Sequence, residues 1–449
     1  MANMPLSAKV VARERPRRRA PLRPKRSGDL RGAAKAGRDG ARVNVMSVVV
    51  RACVSTDELR DALLPIWHYS GAALPDDRFA SFARVLPPHR AYGAWDQGRI
   101  VGGSGALPLD LTVPGGQVRA AGLTVVGVLP THRRRGTLRA LMRHQLDACL
   151  ERSEPVAYLW ASDERIYGRF GFGLASWVAA IELPREHAAY EGPNGSVGDA
   201  FLVPLDGAES LLAPIYARVA AATPGMFARS SDWWQARALT DPDWRRQGRG
   251  NLQCVVMEFD HQLVAYAFYR VNAKFAQGIA TGCVEVIEAL GDSPHAMRAI
   301  WRYLLDIDLT SQTTAELLPL DHPLLLMIAE PRRLRVTIRD GTWVRLVDVG
   351  AALSARAFAP AGTVVIDVID QFCPWNAGRW RVGTQVVEQT NDPADLRCDV
   401  SALGSVYLGG FTWLQLFRAL RVESLHRDAI ERADGVFKPQ GAPWCPEIF

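Results

Sequence analysis

Long apolar runs are missing from this chain of 449 residues. The stretch at residues 323–329 falls far short of the roughly eighteen apolar residues that a membrane-spanning helix needs, so a helical membrane protein is excluded. Paired metal ligands are missing too: the seven cysteines contain no C-x-x-C, and the nine histidines no H-E-x-x-H and no i,i+4 pair. That pattern argues against structural zinc. Cys53, Cys149, Cys254, Cys283, Cys373, Cys398 and Cys445 are dispersed and odd in number, as expected of reduced thiols in the cytoplasm rather than a disulfide framework. Gly102-Gly103-Ser104-Gly105-Ala106 breaks G-x-S-x-G at its last position, and Gly168–Gly173 is not G-x-G-x-x-G. Serine-hydrolase and dinucleotide-binding readings therefore have no anchor.

Hydrophobic residues make up 48% and charged residues 22%, ordinary globular values, and the length predicts two to four domains. The net charge of +6 is unevenly placed. Residues 1–45 hold thirteen Lys and Arg against Glu14, Asp29 and Asp39, a net of +10, which leaves −4 for the rest. A mildly acidic body weakens any nucleic-acid reading. The segment is rich in Arg, Pro, Gly and Ala and cannot bury enough surface to offset its ordering entropy. It also lacks the apolar h-region of a secretory signal. Residues 1–45 are expected to be a disordered basic tail or a misassigned start, with Met46 opening the folded body.

From Met46 onward strands and helices alternate. Val48–Cys53 reads as a strand and Thr56–Trp67 as a helix capped by Ser55 or Thr56; strands follow at Arg99–Leu107, Leu109–Val113 and Arg119–Val128. A helix begins after Gly136, with Leu138, Leu141, Met142, Leu146, Cys149 and Leu150 on one face, and the strand Val156–Ala161 comes next. A second unit repeats the plan: Leu252–Phe259, Leu263–Val271 and Val284–Leu290, a helix opened by Ser293-Pro294, then Asp308–Thr313. Its turn, Gly291–Pro294, has no arginine cluster, so an internal duplication with one ligand loop lost is expected. The last hundred residues read as a small α+β domain. Trp233, Trp234 and Trp244 read as core residues more than as ligand-stacking ones.

The chemistry gathers at Pro130-Thr131-His132-Arg133-Arg134-Arg135-Gly136. A strand that runs through a turn into a helix N-terminus offers unsatisfied N–H donors and the positive end of the helix dipole to an anion. Gly136 permits close approach, and Arg134, Arg135 and Arg139 add charge suited to phosphate oxygens. A diphosphate fits this chemistry. His132 lies inside the loop and reads as structural.

Strand, Arg133-x-x-Gly136 and amphipathic helix together resemble motif A of the GNAT N-acetyltransferases, with Leu138 where Gly or Ala is commoner. PTHRRRG (residues 130–136), ASDERIYGRFGFG (161–173), FCPWNAGRWRV (372–382) and LGSVYLGG (403–410), in that order, resemble the Eis (enhanced intracellular survival) acetyltransferases of actinobacteria over about residues 46–449. The resemblance implies a mixed α/β and α+β multidomain fold. A catalytic GNAT domain would span 46–180, a degenerate GNAT-like domain without the cofactor loop 181–345, and a sterol-carrier-protein-like domain 346–449.

It further implies transfer of acetyl from acetyl-CoA, with no metal, to primary amines such as aminoglycoside-like polyamines and lysine ε-amines. The cofactor contacts would be Val126, Gly127 and Val128 on the strand, Arg134, Arg135, Gly136, Thr137, Leu138 and Arg139 at the helix start, and Ser162 and Asp163 in the later turn. Tyr167 would be the proton donor and the α-carboxylate of Phe449 the base. Acidic residues would be expected to hold polycationic acceptors, with Asp76, Asp77 and Glu447 as candidates. A homo-hexamer is implied as well. The competing reading is a non-catalytic CoA- or lipid-binding assembly protein.

Overall fold

The computed structural model describes residues 48–71, 73–192 and 198–449; the basic segment 1–45 lies outside them. Two seven-stranded sheets and one five-stranded sheet form the body. The first sheet runs, edge to edge, Val49–Ala52, Ala91–Asp96, Arg99–Val113, Gly116–Val128, Val156–Trp160, Thr342–Leu346, Gly173–Leu174. Its neighbours are antiparallel except Gly116–Val128 with Val156–Trp160. The second sheet runs Thr337–Asp340, Trp177–Pro184, Gln312–Pro319, Cys283–Gly291, Gln262–Asn272, Leu252–Phe259, Asp199–Val203. The pairing crosses both expected boundaries, because Trp177–Pro184 leaves the first unit for the second sheet and Thr342–Leu346 returns to the first.

The expected strands at residues 99–107 and 109–113 are one strand, Arg99–Val113, in which Pro108 keeps its place opposite Ala121. Helix Thr56–Trp67 starts as expected, with the Ser55 hydroxyl accepting the Glu58 N–H. Helix Asp76–Val85, which the apolar pattern does not reveal, presents only Phe82 and Val85 as fully buried side chains.

The parallel pair in the first sheet is short. Ala120 faces Val156, Ala121 faces Ala157 and Gly122 faces Tyr158; beyond them the two strands no longer pair. The cause lies on the other edge, where one extra residue of Gly116–Val128 bulges between the pairs Gly105–Thr124 and Gly103–Gly127. Val125 there has φ +51°, a costly conformation for a β-branched residue. The second sheet repeats the device: Cys283–Val286 pair in parallel with Gln312–Ala315, and a bulge follows at once between Val286 and Glu288.

The third sheet runs Val386–Gln389, Gly378–Gly383, Thr363–Ile369, Leu396–Asp399, Val422–Ser424, with helices Val400–Tyr407, Trp413–Arg418 and Ala429–Val436. Two of the four motifs dock this domain. Helix Val400–Tyr407 lies so close to the first sheet that a Cβ on Gly173 would stand 1.9 Å from the Ser401 carbonyl, and one on Gly404 2.4 Å from that of Val344. The turn at Phe372–Ala377 is organised by the buried Asp370 carboxylate. It accepts the N–H groups of Phe372 (3.2 Å) and Cys373 (2.8 Å) and the Asn376 side chain (3.0 Å), and it pairs with Arg345 at 2.5 Å.

Arg345 and Asp370 are 0% and 1% exposed, so removing one partner strands a charge in the interior. Asp370→Ala should lower stability by about 3–5 kcal/mol in chemical denaturation. A loss below about 1 kcal/mol would show that Arg345 is solvated by other means.

Candidate active site

The arginine loop joins the splayed strand to helix Thr137–Glu151. After a short 3-10 turn at Pro130–His132, Arg134 takes φ +60° and Gly136 φ +86°. Gly136 is the N-cap and provides no side chain, so the N–H groups of the first turn of this 15-residue helix have no side-chain acceptor. A Cβ at Gly136 would meet nothing within 4 Å; the left-handed backbone is what calls for glycine there.

Arg134 and Arg135 are exposed and have no hydrogen-bond or ion-pair partner among the described residues. The others are tethered. His132 is held by Asp96 (3.0 Å) and Thr131 (2.8 Å), in keeping with a structural role. Arg133 donates to the Tyr69 hydroxyl (2.9 Å), which itself donates to the Val128 carbonyl (2.5 Å). Arg139 lies over the Phe372 ring at 4.9 Å, so one expected cofactor contact also serves domain docking. Tyr69 carries no motif, and sequence reasoning missed it.

Alternation along the splayed strands separates the remaining candidates onto two faces. On the face of helix Thr137–Glu151, Leu123 and Leu159 cluster with Tyr167 and Phe172, joined by Val126 and Leu138. Tyr167 ends the single turn Glu164–Tyr167, capped by Asp163, whose carboxylate accepts the Arg165 N–H at 3.0 Å. The Arg165 guanidinium clamps the same carboxylate and holds it below the usual carboxylate range. Ser162 is exposed beside it. Tyr167 is 5% exposed and its hydroxyl has no hydrogen-bond partner among the described residues; burial pushes its phenol up to about 12, so it stays protonated at neutral pH.

On the opposite face stands Phe449. Its ring packs on Tyr158 (5.7 Å between centroids) and Phe227 (5.9 Å), and a Cβ on Gly122 would lie 3.1 Å from it. Gly122 and Tyr158 are the last pair before the strands part. The chain end is therefore fixed where the gap opens. The last residues are fastened on the way: the Trp444 N–H donates to Pro224 (2.8 Å), Arg229 and Trp233 donate to the Glu447 carboxylate (2.5 and 2.6 Å), and Arg237 donates to the Ile448 carbonyl (3.1 Å). Gly127 is glycine because the Ile66 backbone nitrogen would stand 2.6 Å from a Cβ.

Each of the acidic candidates has a partner of its own. Asp76 pairs with Arg60 at 2.8 Å, the Asp77 carboxylate accepts the Arg78 N–H, and Glu447 is consumed by Arg229 and Trp233. In the second unit the equivalent helix, Pro294–Leu305, is capped by the Ser293 hydroxyl and begins with a residue that has no N–H. That end has fewer free donors for an anion. Among the described residues no group of three or more His, Cys, Asp or Glu is placed to hold a metal ion, and no helix is long and apolar enough to cross a membrane.

Family models match the chain in three blocks: an acetyltransferase (GNAT) domain at residues 55–175, a second at 225–346, and a sterol carrier protein domain at 349–446. The chain is a GNAT-type N-acetyltransferase with two GNAT domains and a sterol-carrier-like C-terminal domain. An uncharacterized N-acetyltransferase of Streptomyces avermitilis is 42% identical over 391 residues, 85% of this chain and 94% of its own length. N-acetyltransferase Eis of Mycobacterium tuberculosis is 31% identical over 361 residues, 77% of this chain and 85% of its own. The crystal structure of Eis1 from Mycobacterium abscessus, 35% identical, matches with a TM-score of 0.78 over 90% of this chain and 100% of that one. The chain belongs to the Eis family.

If the free helix end receives phosphate, Arg134→Ala and Arg135→Ala should each raise the KM for acetyl-CoA about tenfold or more, the loss of one charge-assisted contact. Steady-state kinetics with the acceptor saturating checks this. A change confined to the acceptor KM would place the loop at the other end of the site.

Proposed function

We propose that this enzyme transfers acetyl from acetyl-CoA directly to a primary amine, with the reacting thioester in the gap between Gly116–Val128 and Val156–Trp160. One observation carries the reading: Tyr167 and Phe449 flank that gap from opposite faces of the sheet, with the donor-rich helix end on the Tyr167 side. The pyrophosphate would lie on the N–H groups of Thr137–Arg139 beside Arg134 and Arg135. The pantetheine amides would follow the unpaired edge at Val126–Val128 like an added strand.

The amine nitrogen attacks the thioester carbon, the C–S bond breaks, and the leaving thiolate takes the Tyr167 proton. A primary ammonium has a pKa of about 10.4, so the attacking amine must lose a proton. The Phe449 α-carboxylate, at an ordinary pKa of about 3.5, is too weak to remove it outright and acts through water. The acceptors suggested by resemblance are aminoglycoside-like polyamines and lysine ε-amines. We also assign a homo-hexamer on the same resemblance, and a cytoplasmic location on the dispersed, odd set of cysteines.

Thiol release from acetyl-CoA with a panel of primary amines tests the reading against that of a non-catalytic CoA-binding protein, which would saturate without turnover. In the same assay Tyr167→Phe, which keeps the ring and deletes the proton, should lower kcat about 10²–10⁴-fold with the acetyl-CoA KM little changed. Wild-type kcat in that variant would return Tyr167 to a packing role.

A further inference from the structure

Two threonine hydroxyls are sealed from solvent and make no hydrogen bond among the described residues, those of Thr112 and Thr124, which are 2% and 3% exposed. A hydroxyl taken out of water without a partner is costly, and a position that only had to fill space would be served better by valine. Thr112 lies opposite Gln117, near the closed end of the hairpin made by Arg99–Val113 and Gly116–Val128. Thr124 lies where the sheet opens. It is two residues past Gly122, the last residue of its strand to pair with Val156–Trp160, and it directly precedes Val125, the bulge residue with φ +51°.

Alternation decides which face it serves. Leu123 and Val126 pack in the cluster of Tyr167, whereas Val125, turned over by the bulge, packs in the cluster that holds the Phe449 ring. A Cβ on Gly122 would stand 3.1 Å from that ring. Thr124 is in step with Gly122 and so looks to the Phe449 face, a rise of about 6.6 Å farther along the strand toward the gap. One water bridging two oxygens spans about 5.5 Å, a step of the same size. The neighbours on this face have other duties: the Tyr158 hydroxyl donates to the Gly225 carbonyl at 2.7 Å, the Glu447 carboxylate is engaged by Arg229 and Trp233, and the indole of Trp160 has no acceptor to offer.

We propose that the Thr124 hydroxyl holds the water through which the Phe449 carboxylate deprotonates the attacking amine. The inference rests on the amine-acetylation reading above. A confined water needs two to four polar partners, and here it has three: it donates one hydrogen to the carboxylate and one to Thr124 Oγ1, which leaves its oxygen facing the amine N–H. As the amine nitrogen bonds to the thioester carbon, its proton passes to the water and a water proton passes to the carboxylate. The C–S bond breaks and the thiolate takes the Tyr167 proton. The carboxylic acid then returns its proton to solvent, and the phenolate regains one from it. Thr124 keeps its own proton throughout and is a positioning residue. Its idle oxygen in the free enzyme is the counterpart of a bond made during turnover.

The test compares the full-length wild type with Thr124→Val and Thr124→Ser, using acetyl-CoA and two primary amines, neamine and Nα-acetyl-lysine. Valine keeps the shape and removes the oxygen. Thr124→Val should lower kcat about tenfold, leave the acetyl-CoA KM unmoved, and hold or raise the melting temperature, because an unpaired buried hydroxyl has been removed. Thr124→Ser should recover most of the lost kcat. Wild-type kcat in Thr124→Val overturns the proposal, and so does a rise in the acetyl-CoA KM alone, which would assign the hydroxyl to the cofactor. A fall in kcat accompanied by a melting temperature several degrees lower overturns it as well, since the hydroxyl would then be a structural bond, as does a Thr124→Ser variant no better than Thr124→Val. Turnover of neither amine by the wild type overturns the acetylation reading instead, and the Thr124 assignment with it.

Discussion

The last residues of the chain are anchored in a buried cluster centred on Arg229. Arg229 grips Glu288 of the second sheet with both terminal nitrogens, at 3.0 and 2.5 Å, and reaches Glu447 of the tail with Nε at 2.5 Å. Its ring neighbours Tyr216 and Trp234 lie 4.0 and 4.6 Å from the guanidinium carbon. With water excluded, each member of such a cluster depends on the others, and losing one leaves an uncompensated charge. The tail is thereby pinned to the second unit while its last ring lies against the first. A catalytic role for Phe449 presupposes this arrangement, because a free chain end would pay the entropy of being ordered in every turnover.

The two GNAT-type units have diverged along a physical line. Both carry the bulge that ends the parallel pairing, so both sheets have a splayed edge. Only the first leaves its helix end uncapped, next to two unpartnered arginines. The second caps its helix with Ser293, starts it with Pro294, and supplies Arg229, Trp233 and Arg237 to hold the tail. One copy keeps a helix end with free N–H donors; the other holds the last residues of the chain. The sterol-carrier-like domain closes the arrangement through Asp370 and Phe372, the latter beneath Arg139 and Arg143 of the loop helix.

Much of this was legible in the residues because it is local. Ser55, Ser293 and the spacing of Leu138, Leu141, Met142 and Leu146 declare helices through capping and period, and Pro130–Gly136 declares a strand-to-helix turn through one turn of backbone. What was not legible depends on partners far away in the chain. The exchange of Trp177–Pro184 and Thr342–Leu346 between sheets is a matter of long-range pairing, to which alternation within a strand is blind. Pro108 reads as a break but is accommodated in a long strand. The acidic candidates Asp76, Asp77 and Glu447 carry no sign in the sequence of their partners, the Arg60 guanidinium, the Arg78 backbone N–H and the Arg229 guanidinium.

The central claim is that the catalytic base is the end of the chain itself. The measurement closest to it compares the wild type with a protein extended by a single glycine after Phe449, in acetyl-CoA turnover, CoA affinity and melting temperature. The extension turns the Phe449 carboxylate into an amide and leaves every side chain in place. The account predicts a loss of turnover of about 10²-fold or more with CoA affinity and melting temperature retained. Full turnover in the extended protein would contradict it and require a side-chain base on the Phe449 face of the gap.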